Sequence, residues 1–235
     1  MKSKFEFCGT LQQLYDTNQA YTSEGLPIPA TGLSSENNLI TIRNIVLESS
    51  PKQTMEIGLA YGGSALTILS TMAEIHPETD AFNHTAIDPG QSEFGMAGIE
   101  MVRRSGLGNH FRCVHESSAT ALPELLKAGD SFGFIYIDGY HIFEHVFTDM
   151  FYSLMLLEPG GTVLFDDCAD PHVSKVIKFI RSNLSEQLRP LDLSPFQPSK
   201  SAFKRIANRF GYSQAKAFTK TGDLPRPWNV KFSRF

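Results

Sequence analysis

Short apolar runs alternate with longer segments of helical periodicity along most of the chain. This alternation is typical of repeated βαβ units, in which helices join parallel strands. The predicted strands are Thr54–Ile57, Thr85–Asp88, Phe111–His115, Gly133–Asp138 and Thr162–Asp166. The predicted helices are Ser64–Ala73, Glu93–Arg104, Thr120–Lys127, His141–Leu157 and Pro171–Leu184. The pattern therefore favours one α/β domain built on a mostly parallel sheet.

The beginning of the chain lies outside this alternation. A short helix is predicted at Leu11–Ala20, and a turn rich in Pro and Gly follows at Gly25–Pro29. Ser34 is a predicted N-cap for a helix that runs to about Ser49. The apolar positions of that helix fall on one face, so it is expected to pack on the domain core.

The last fifty residues carry a weaker pattern. Lys216–Thr219 and Asn229–Arg234 are predicted to be two further strands. Arg189–Leu193 competes with the first of them for the same place in the sheet. Two strands here and the five above bring the predicted sheet to seven.

The composition is ordinary for a soluble globular protein, with 41% hydrophobic and 20% charged residues in 235. No run of about 18 apolar residues predicts a membrane span, and the start of the chain lacks the apolar stretch of a secretory signal. Cys8, Cys113 and Cys168 are too widely spaced to indicate a disulfide framework or a zinc knuckle. We therefore expect a cytoplasmic protein without a membrane partner.

The net charge of −4 is unevenly distributed. Asp223 is the only acid after residue 199, whereas the basic residues there are Lys200, Lys204, Arg205, Arg209, Lys216, Lys220, Arg226, Lys231 and Arg234. This segment can attract an anionic ligand, or it can be neutralised by solvent and by the protein's own acidic surface. Because the remainder is acidic and no RNA-binding pattern is visible, nucleic acid is not expected as a partner.

A glycine-rich turn follows the first predicted strand, at Glu56-Ile-Gly58-Leu-Ala60-Tyr-Gly62-Gly63-Ser64. Glycines allow the backbone to turn tightly and approach a ligand, and the following helix adds unpaired N–H groups. Glu56 is placed to hold a cationic amine. A dinucleotide-binding turn would need glycine where Ala60 stands, which counts against a dehydrogenase. A purely structural turn of this composition is the alternative.

Two further polar places follow the next strands. Asp88 ends the second predicted strand, where a carboxylate can accept hydrogen bonds from both hydroxyls of a ribose. Ser117 and Ser118 follow the third strand and can line an adenine pocket. Helix capping is the alternative for all three side chains.

Acidic residues end the fourth and fifth predicted strands. Asp138 ends the fourth, and Asp166 and Asp167 end the fifth. Neighbouring parallel strands lie close together, so the three carboxylates should meet at one edge of the sheet. Crowded like charges raise one another's pKa unless a positive charge lies between them. A divalent cation with oxygen ligands would supply that charge.

These segments resemble the small-molecule O-methyltransferases of the catechol O-methyltransferase type, and still more their bacterial relatives that methylate sugars and antibiotic intermediates. The resemblance covers about residues 34–184. It implies a doubly wound α/β fold of the Rossmann-like methyltransferase type, with a mostly parallel seven-stranded sheet and an antiparallel strand near the C-terminus. It also implies an N-terminal extension or lid at 1–33, a cofactor-binding domain at 34–235 and an acceptor-side insertion at 186–227.

The resemblance assigns roles to individual residues. The residues that correspond to cofactor contacts for S-adenosylmethionine are Glu56, Gly58, Ser64, Asp88 and Ser118. Gly62 and Ser117, which lie in the same segments, are predicted cofactor contacts as well. Those that correspond to Mg²⁺ ligands are Asp138, Asp166 and Asp167. Catechol-type enzymes have Asn in place of Asp167 and a catalytic Lys in place of His141, whereas the bacterial relatives share both residues of this chain. The resemblance does not identify the general base; His141 is the candidate because a free imidazole titrates near neutral pH and His141 follows the strand of Asp138, and Asp138 is the alternative.

A rival pattern overlaps these residues, since His141-Ile-Phe-Glu144-His145 matches the H-x-x-E-H arrangement of some zinc peptidases. On a helix the two histidines would lie one turn apart. The apolar residues at helical spacing instead favour a helix packed on the core. His145 and Asp149 are then interpreted as a pair on the helix surface.

The sequence thus predicts methyl transfer from S-adenosylmethionine to a hydroxyl group of a small molecule, with help from Mg²⁺ or another divalent cation. The alternatives are a metal-independent methyltransferase of the same fold, an NAD-type oxidoreductase and the zinc peptidase. The basic segment predicts an anionic acceptor, contacted by one or more of Lys200, Lys204, Arg205 and Arg209. The N-terminal extension makes a homodimer an expectation.

Overall fold

The computed structural model describes residues 4–77, 81–198, 214–223 and 226–235. The chain divides into two compact units, Met1–Ser117 and Ser118–Phe235. The boundary between these units is not the predicted boundary between residues 33 and 34. That boundary was predicted for an N-terminal extension, and it stays a prediction. Each unit is an α/β structure, and the three cysteines are free.

The first unit holds three parallel strands, in the order β5-β4-β3. The strands of the unit are β1 (Gln19–Tyr21), β2 (Pro27–Pro29), β3 (Gln53–Ile57), β4 (Asn83–Ile87) and β5 (Phe111–Val114). The helices are α1 (Gly9–Thr17), α2 (Glu36–Ser49), α3 (Gly63–Ile75) and α4 (Ala97–Arg104), with a short 3₁₀ helix at Gly108–His110. The central strands match the predicted ones to within two residues at each end.

The amino-terminal part differs from its prediction. The chain forms an antiparallel hairpin of β1 and β2, because Asn18 adopts a left-handed conformation that ends α1 and Thr22 pairs with Leu26 across the turn. The N-cap of α2 is Ser35, one residue after the predicted Ser34, and its hydroxyl accepts from the amide of Asn38 at 3.2 Å. The predicted inward face of α2 is buried.

The second unit holds four strands in the order β6-β7-β9-β8. Their bounds are β6 (Phe132–Ile137), β7 (Leu157–Phe165), β8 (Leu188–Leu191) and β9 (Lys216–Lys220), and the helices are α5 (Ser118–Ala128), α6 (Phe143–Leu156) and α7 (Pro171–Asn183). Strand β6 is parallel to β7, whereas β9 is antiparallel to both β7 and β8. The predicted antiparallel strand near the C-terminus is therefore β9.

One predicted strand is wrong. Residues 229–234 form no strand, although their apolar and polar positions alternate. Trp228, Val230 and Phe232 are exposed there, whereas the backbone of Ser233 pairs with the side chain of Asn183 on α7. The place next to β9 is taken by β8, which sequence analysis treated as a competitor for β9 itself.

Helix α4 fixes the glycine-rich turn of the first unit by a close backbone approach. A Cβ on Gly98 would lie 2.5 Å from the carbonyl oxygen of Ala60 and 2.8 Å from Cγ of Leu59. Gly62, whose φ is +80°, meets the same helix, because a Cβ there would lie 2.9 Å from the carbonyl oxygen of Gly98. Only glycine at these two positions allows the turn and the helix to touch.

We expect Gly98→Ala to lower the free energy of unfolding by about 1–3 kcal/mol, because the added methyl group meets rigid backbone atoms. Urea unfolding measures this change. Gly9→Ala is the matched control, since a Cβ at Gly9 meets no atom within 4 Å, and it should leave stability unchanged or slightly higher. Equal effects of the two substitutions would show that the close approach does not constrain the turn.

Candidate active site

The Asp88 carboxylate organises the glycine-rich turn. Its Oδ2 atom accepts from the amides of Leu59 and Ala60, both at 3.0 Å, and from Nε2 of Gln91 at 2.9 Å. Its Oδ1 atom accepts from the amide of Gly90 at 2.7 Å. Asp88, predicted as a ribose acceptor, is thus the side chain that joins the end of β4 to the turn after β3. The two oxygens of a carboxylate have about four acceptor positions. Oδ1 accepts one of the hydrogen bonds named here, so it can accept another from a ligand hydroxyl.

Glu56 lies in the interior of the same unit. Its side chain is fully buried, and Oε1 lies 3.2 Å from Nε2 of His84, which is also fully buried. The Nδ1 atom of His84 lies 2.9 Å from the hydroxyl of Thr54. In this structure the Glu56 carboxylate therefore faces the buried His84 side chain, and sequence reasoning did not anticipate this neighbour. In the sequence, the only sign of this contact is that an acid and a histidine lie on neighbouring strands.

The remaining predicted cofactor residues follow the turn. The amide of Gly58 donates to the carbonyl of Ile87 at 2.9 Å, which holds the turn against β4. Gly62 is the residue before α3 and has a left-handed conformation. Ser64 is buried in the first turn of α3, whose amino-terminal N–H groups give that end partial positive charge. The first unit thus brings Gly58, Gly62, Ser64 and Asp88 around one turn.

The acidic cluster of the second unit consists of Asp138, Asp166 and Asp167, together with His141. Oδ1 of Asp138 lies 3.4 Å from Nε2 of His141, and Oδ2 of Asp167 lies 3.2 Å from Nδ1 of the same ring. The pKa of His141 is raised above its usual value, chiefly by the Asp138 carboxylate beside it and despite partial burial. The imidazole ring therefore separates two carboxylates that would otherwise repel each other.

Asp166 has a different place in this cluster. It is 5% exposed, its Oδ1 accepts from the amide of Asp167 at 2.8 Å, and its Oδ2 lies 2.6 Å from the Tyr136 hydroxyl. That hydroxyl also lies 3.0 Å from Oδ2 of Asp138. One hydroxyl proton cannot fully serve two carboxylates, so the cluster is short of positive charge. Burial, and then the charge of Asp138, raise the pKa of Asp166.

Three residues of the cluster can hold a cation together. Asp138, His141 and Asp167 each offer one ligand atom, and these atoms lie within 4.8 Å of one another. Asp166, a predicted ligand, is outside this group because both of its oxygens already have partners. The group instead contains His141, which was predicted to be the general base. Carboxylate oxygens and an imidazole nitrogen are suitable ligands for a divalent transition metal and acceptable ones for Mg²⁺.

Two side chains that sequence analysis missed support the cluster. Tyr136 is fully buried and precedes Asp138 by two positions, so the two share a face of β6; this spacing could have revealed it. Gln214 donates through its side-chain amide to Asp167, and its carbonyl accepts from the amide of Cys168 at 2.7 Å. No sequence signal links Gln214 to a residue so distant along the chain. Asp167 itself has a φ of +46°, an uncommon conformation that these contacts hold in place.

Comparison with known proteins gives a family match for part of the chain. Residues 55–168, which include the glycine-rich turn and the acidic cluster, match the model of a family described as a methyltransferase domain. This part of the chain is therefore similar to a methyltransferase domain. No curated protein sequence is significantly similar to the chain.

Solved structures with a similar fold are O-methyltransferases. An O-methyltransferase from Bacillus cereus, solved with S-adenosylhomocysteine, is 13% identical, with 91% of this chain and 90% of that chain covered and a TM-score of 0.62. The O-methyltransferase TomG from Streptomyces achromogenes, involved in tomaymycin synthesis and solved with S-adenosylmethionine, is 14% identical, with 94% and 91% covered and a TM-score of 0.63. The predicted class I methyltransferase fold is confirmed.

The described residues do not place His141 and His145 in the zinc-peptidase arrangement. Helix α6 begins at Phe143, so His141 precedes the helix and does not share a helical face with His145. The His145 ring packs edge-on against Tyr140, with 5.3 Å between ring centroids. In the part of the chain that the structure describes, the group able to hold a metal contains His141 with two aspartates and not His145.

The predicted surface position of the His145 and Asp149 pair is wrong, although the charge of His145 still acts to lower the pKa of Asp149. Asp149 is 1% exposed and its carboxylate hydrogen-bonds the hydroxyl of Ser118, the buried first residue of α5. Burial raises the pKa of Asp149 to about 6. Ser118 is a predicted cofactor contact, so Asp149 holds a residue of the candidate site from the neighbouring helix. Ser117, also predicted, is half-buried at the end of the first unit.

Other predictions fall partly outside the described residues. Lys200, Lys204, Arg205 and Arg209, the predicted contacts of an anionic acceptor, all lie there. In the portions that are described, no helix is long and apolar enough to span a membrane.

The raised pKa of Asp149 predicts a pH-dependent stability. Between about pH 4 and 6 the folded protein keeps the Asp149 proton that the unfolded chain has lost, so stability decreases as pH rises through this window. Asp149→Asn, which keeps the shape and stays neutral, should therefore gain about 1–3 kcal/mol relative to the wild type between pH 4 and pH 7. Urea unfolding at both pH values measures this difference.

The control is Asp16→Asn at an exposed position, which should show a smaller pH dependence. If the difference between Asp149→Asn and the wild type were the same at pH 4 and pH 7, the Asp149 carboxylate would not be held in an environment that disfavours its charge.

Proposed function

We propose that the chain transfers the methyl group of S-adenosylmethionine to a hydroxyl oxygen of a small molecule, and that a divalent cation assists the transfer. The grouping of Asp138, His141 and Asp167 carries this proposal, because it adds a cation-binding donor set to a methyltransferase domain. The related structures that contain S-adenosylmethionine or S-adenosylhomocysteine support the choice of cofactor.

The first unit would bind the cofactor. The turn amides that Asp88 orders, and the free N–H groups at the start of α3, suit the carboxylate and ribose of S-adenosylmethionine. Within this proposal Gly58, Gly62 and Ser64 line the turn, and Glu56 supplies negative charge below it. Ser117, which ends this unit, is proposed to contact the adenine; Ser118, predicted for the same role, begins the second unit. Ala60, with a φ of +44°, stands where a dinucleotide-binding turn would require glycine, which disfavours an NAD-type oxidoreductase.

The second unit would bind the cation through Asp138, His141 and Asp167. The crowding of the carboxylates supports this fit, since Asp138 and Asp167 both face the His141 ring and the Tyr136 hydroxyl contacts both Asp138 and Asp166. Asp166 would then act on the neighbouring backbone and on Tyr136 rather than on the cation directly. A bound divalent cation, Mg²⁺ or another, supplies a Lewis acid that lowers the pKa of a hydroxyl group.

The protein's own groups would position the acceptor and receive its proton. Transfer forms an oxygen–methyl bond, breaks the sulfur–methyl bond and releases one proton from the hydroxyl group. Asp138 is the candidate proton acceptor when the cation is bound, because a carboxylate that holds a cation through one oxygen can accept the proton on the other; His141 would take this role only where the aspartates alone held the cation. Tyr136 keeps Asp138 in place through its hydroxyl, and Gln214 does the same for Asp167. Holding both reactants in line can lower the barrier by several kcal/mol, up to about 7–11 in favourable cases.

A metal-independent methyltransferase is the second candidate. In that case the carboxylates of Asp138 and Asp167 would bind the acceptor by hydrogen bonds, and the His141 imidazolium would be their lasting counter-charge. The raised pKa of His141 favours this state in the absence of a cation. Dependence of turnover on added metal distinguishes the two.

We expect Asp138→Ala and Asp167→Ala to lower the rate of methyl transfer by about 100-fold or more, because each removes a ligand atom of the cation. The affinity for S-adenosylhomocysteine should stay nearly unchanged. A radiolabelled methyl-transfer assay with a panel of hydroxylated acceptors measures the first quantity, and calorimetry measures the second. Glu144→Ala is the control, since it removes an exposed carboxylate from the same loop and helix without touching the cluster.

Chelation completes this test. Excess EDTA should abolish transfer by the wild type, and added Mg²⁺ or Mn²⁺ should restore it. Full activity in EDTA would support the metal-independent candidate. Normal activity of Asp167→Ala in the presence of metal would remove this carboxylate from the machinery.

A further inference from the structure

The predicted N-terminal extension reaches the glycine-rich turn of the first unit through Tyr15. This residue lies on α1, and a Cβ on Gly63 would lie 3.6 Å from its hydroxyl oxygen. Because Gly63 is the first residue of α3, the Tyr15 hydroxyl lies beside the helix end that we propose binds the carboxylate of S-adenosylmethionine. Tyr15 is half-buried, and the function proposed above gives it no role.

Two contacts hold Tyr15 in this place. Its hydroxyl donates to the carbonyl of Ser34 at 2.5 Å, and its ring packs against Phe5, with 4.8 Å between the ring centroids. Phe5 is itself buried, so the Tyr15 ring has a fixed neighbour. The hydrogen bond joins α1 to the residue before Ser35, which is the N-cap of α2. Tyr15 therefore connects α1 and the start of α2 to the start of α3.

The groups around the Tyr15 hydroxyl are hydrogen-bond acceptors. Burial, and then the charge of Glu36, raise the pKa of Tyr15, so the hydroxyl keeps its proton near neutral pH and donates it to Ser34. The phenol oxygen and the Ser34 carbonyl oxygen each retain capacity to accept another hydrogen bond. Glu36, in the first turn of α2, adds negative charge and pairs with Lys4 at 2.5 Å. This side of the turn therefore suits a cationic donor.

The start of α3 has the opposite polarity. Its first N–H groups have no partner within the helix and carry partial positive charge. The amino-acid end of S-adenosylmethionine has both charges, since its ammonium and carboxylate groups are bonded to the same carbon atom. A carboxylate at the N–H groups of α3 would therefore keep the ammonium group beside the helix end, where Tyr15 and Ser34 present their oxygens.

Glu56, the predicted partner of the cofactor amine, is enclosed in the interior of the unit. Both of its carboxylate oxygens are buried, and Oε1 lies 3.2 Å from Nε2 of His84. Glu56 can act on the amine through its charge, but in this structure its oxygens do not reach the surface of the turn. An ammonium group donates up to three hydrogen bonds, so it needs acceptors on the accessible side.

We propose that Tyr15 determines specificity for the amino-acid end of S-adenosylmethionine: its hydroxyl oxygen accepts a hydrogen bond from the ammonium group and its proton keeps the Ser34 carbonyl in position. The inference rests on the proposed function for the identity of the cofactor. It adds to that function a part for the N-terminal extension, which supplies acceptors for the ammonium group opposite the donors of α3. The alternative is a Tyr15 that only joins α1 to the start of α2.

Three ligands that differ at the amino-acid end test this proposal. They are S-adenosylhomocysteine, its analogue in which hydrogen replaces the amino group, and 5′-methylthioadenosine, which lacks the amino-acid end. Calorimetric titration into the full chain measures each affinity without turnover. Tyr15→Phe should weaken binding of S-adenosylhomocysteine about tenfold, because it removes an acceptor from a charged donor. It should leave the affinities for the other two ligands unchanged.

Tyr21→Phe is the matched control, because it removes the same hydroxyl group from another place in the extension. Tyr21 ends β1, and its ring packs against the guanidinium group of Arg104, 3.9 Å from the ring centroid, rather than at the start of α3. This variant should keep all three affinities. The melting temperatures of both variants without ligand separate a loss of stability from a loss of recognition.

The outcomes separate this inference from the proposed function. A loss confined to S-adenosylhomocysteine in Tyr15→Phe would support the role of Tyr15. An equal loss for all three ligands, or no loss for any of them, would make Tyr15 a structural residue and overturn the inference, while wild-type binding of S-adenosylhomocysteine would leave the proposed function in place. A wild type that binds none of the three ligands would overturn the proposed function and the inference with it.

Discussion

The four hydrogen bonds to the Asp88 carboxylate are the interaction on which the first unit depends. A buried carboxylate is tolerated only when donors surround it, and here two of the donors are turn amides that no helix or strand would otherwise use. The carboxylate therefore fixes the path of the chain after β3. Gly98 constrains the turn from the side of α4, because its lack of a side chain lets the helix contact the turn backbone. The turn that we propose binds the cofactor is thus preorganised before any ligand arrives.

In the second unit the corresponding constraint is the repulsion between like charges. Three carboxylates at the ends of β6 and β7 must be kept together, and the protein does this with one tyrosine hydroxyl, one imidazole and one glutamine amide. The arrangement leaves Asp166 buried with neutral partners, whereas Asp138 and Asp167 converge on His141. Asp166 therefore orders the loop, whereas the carboxylates of Asp138 and Asp167 can still contact a ligand. This arrangement supports the proposal that the acidic cluster holds a cation.

Much of the fold could be predicted because strand periodicity and turn residues are local signals. The strand that carries Glu56 and the strands that Asp88, Asp138 and Asp166 follow were all recognised, and with them the polar strand ends within each unit. What failed depends on packing between distant elements. Residues 229–234 alternate like a strand but find no partner, since β8 occupies that place. Asp149 was predicted to lie on the surface of α6, but α5 covers it and its carboxylate interacts with the Ser118 hydroxyl. Gln214 has no local signal, whereas the shared face of Tyr136 and Asp138 could have been recognised.

The central claim is that the turn ordered by Asp88 is a site for S-adenosylmethionine, and direct binding tests it without knowledge of the acceptor. Calorimetry with S-adenosylhomocysteine on the full wild-type chain should give saturable binding of one molecule per chain, and the melting temperature should rise with ligand concentration. NAD⁺ titrated in the same way should give neither effect. Absence of heat and of any thermal shift with S-adenosylhomocysteine at millimolar concentration, or tighter binding of NAD⁺, would contradict the account.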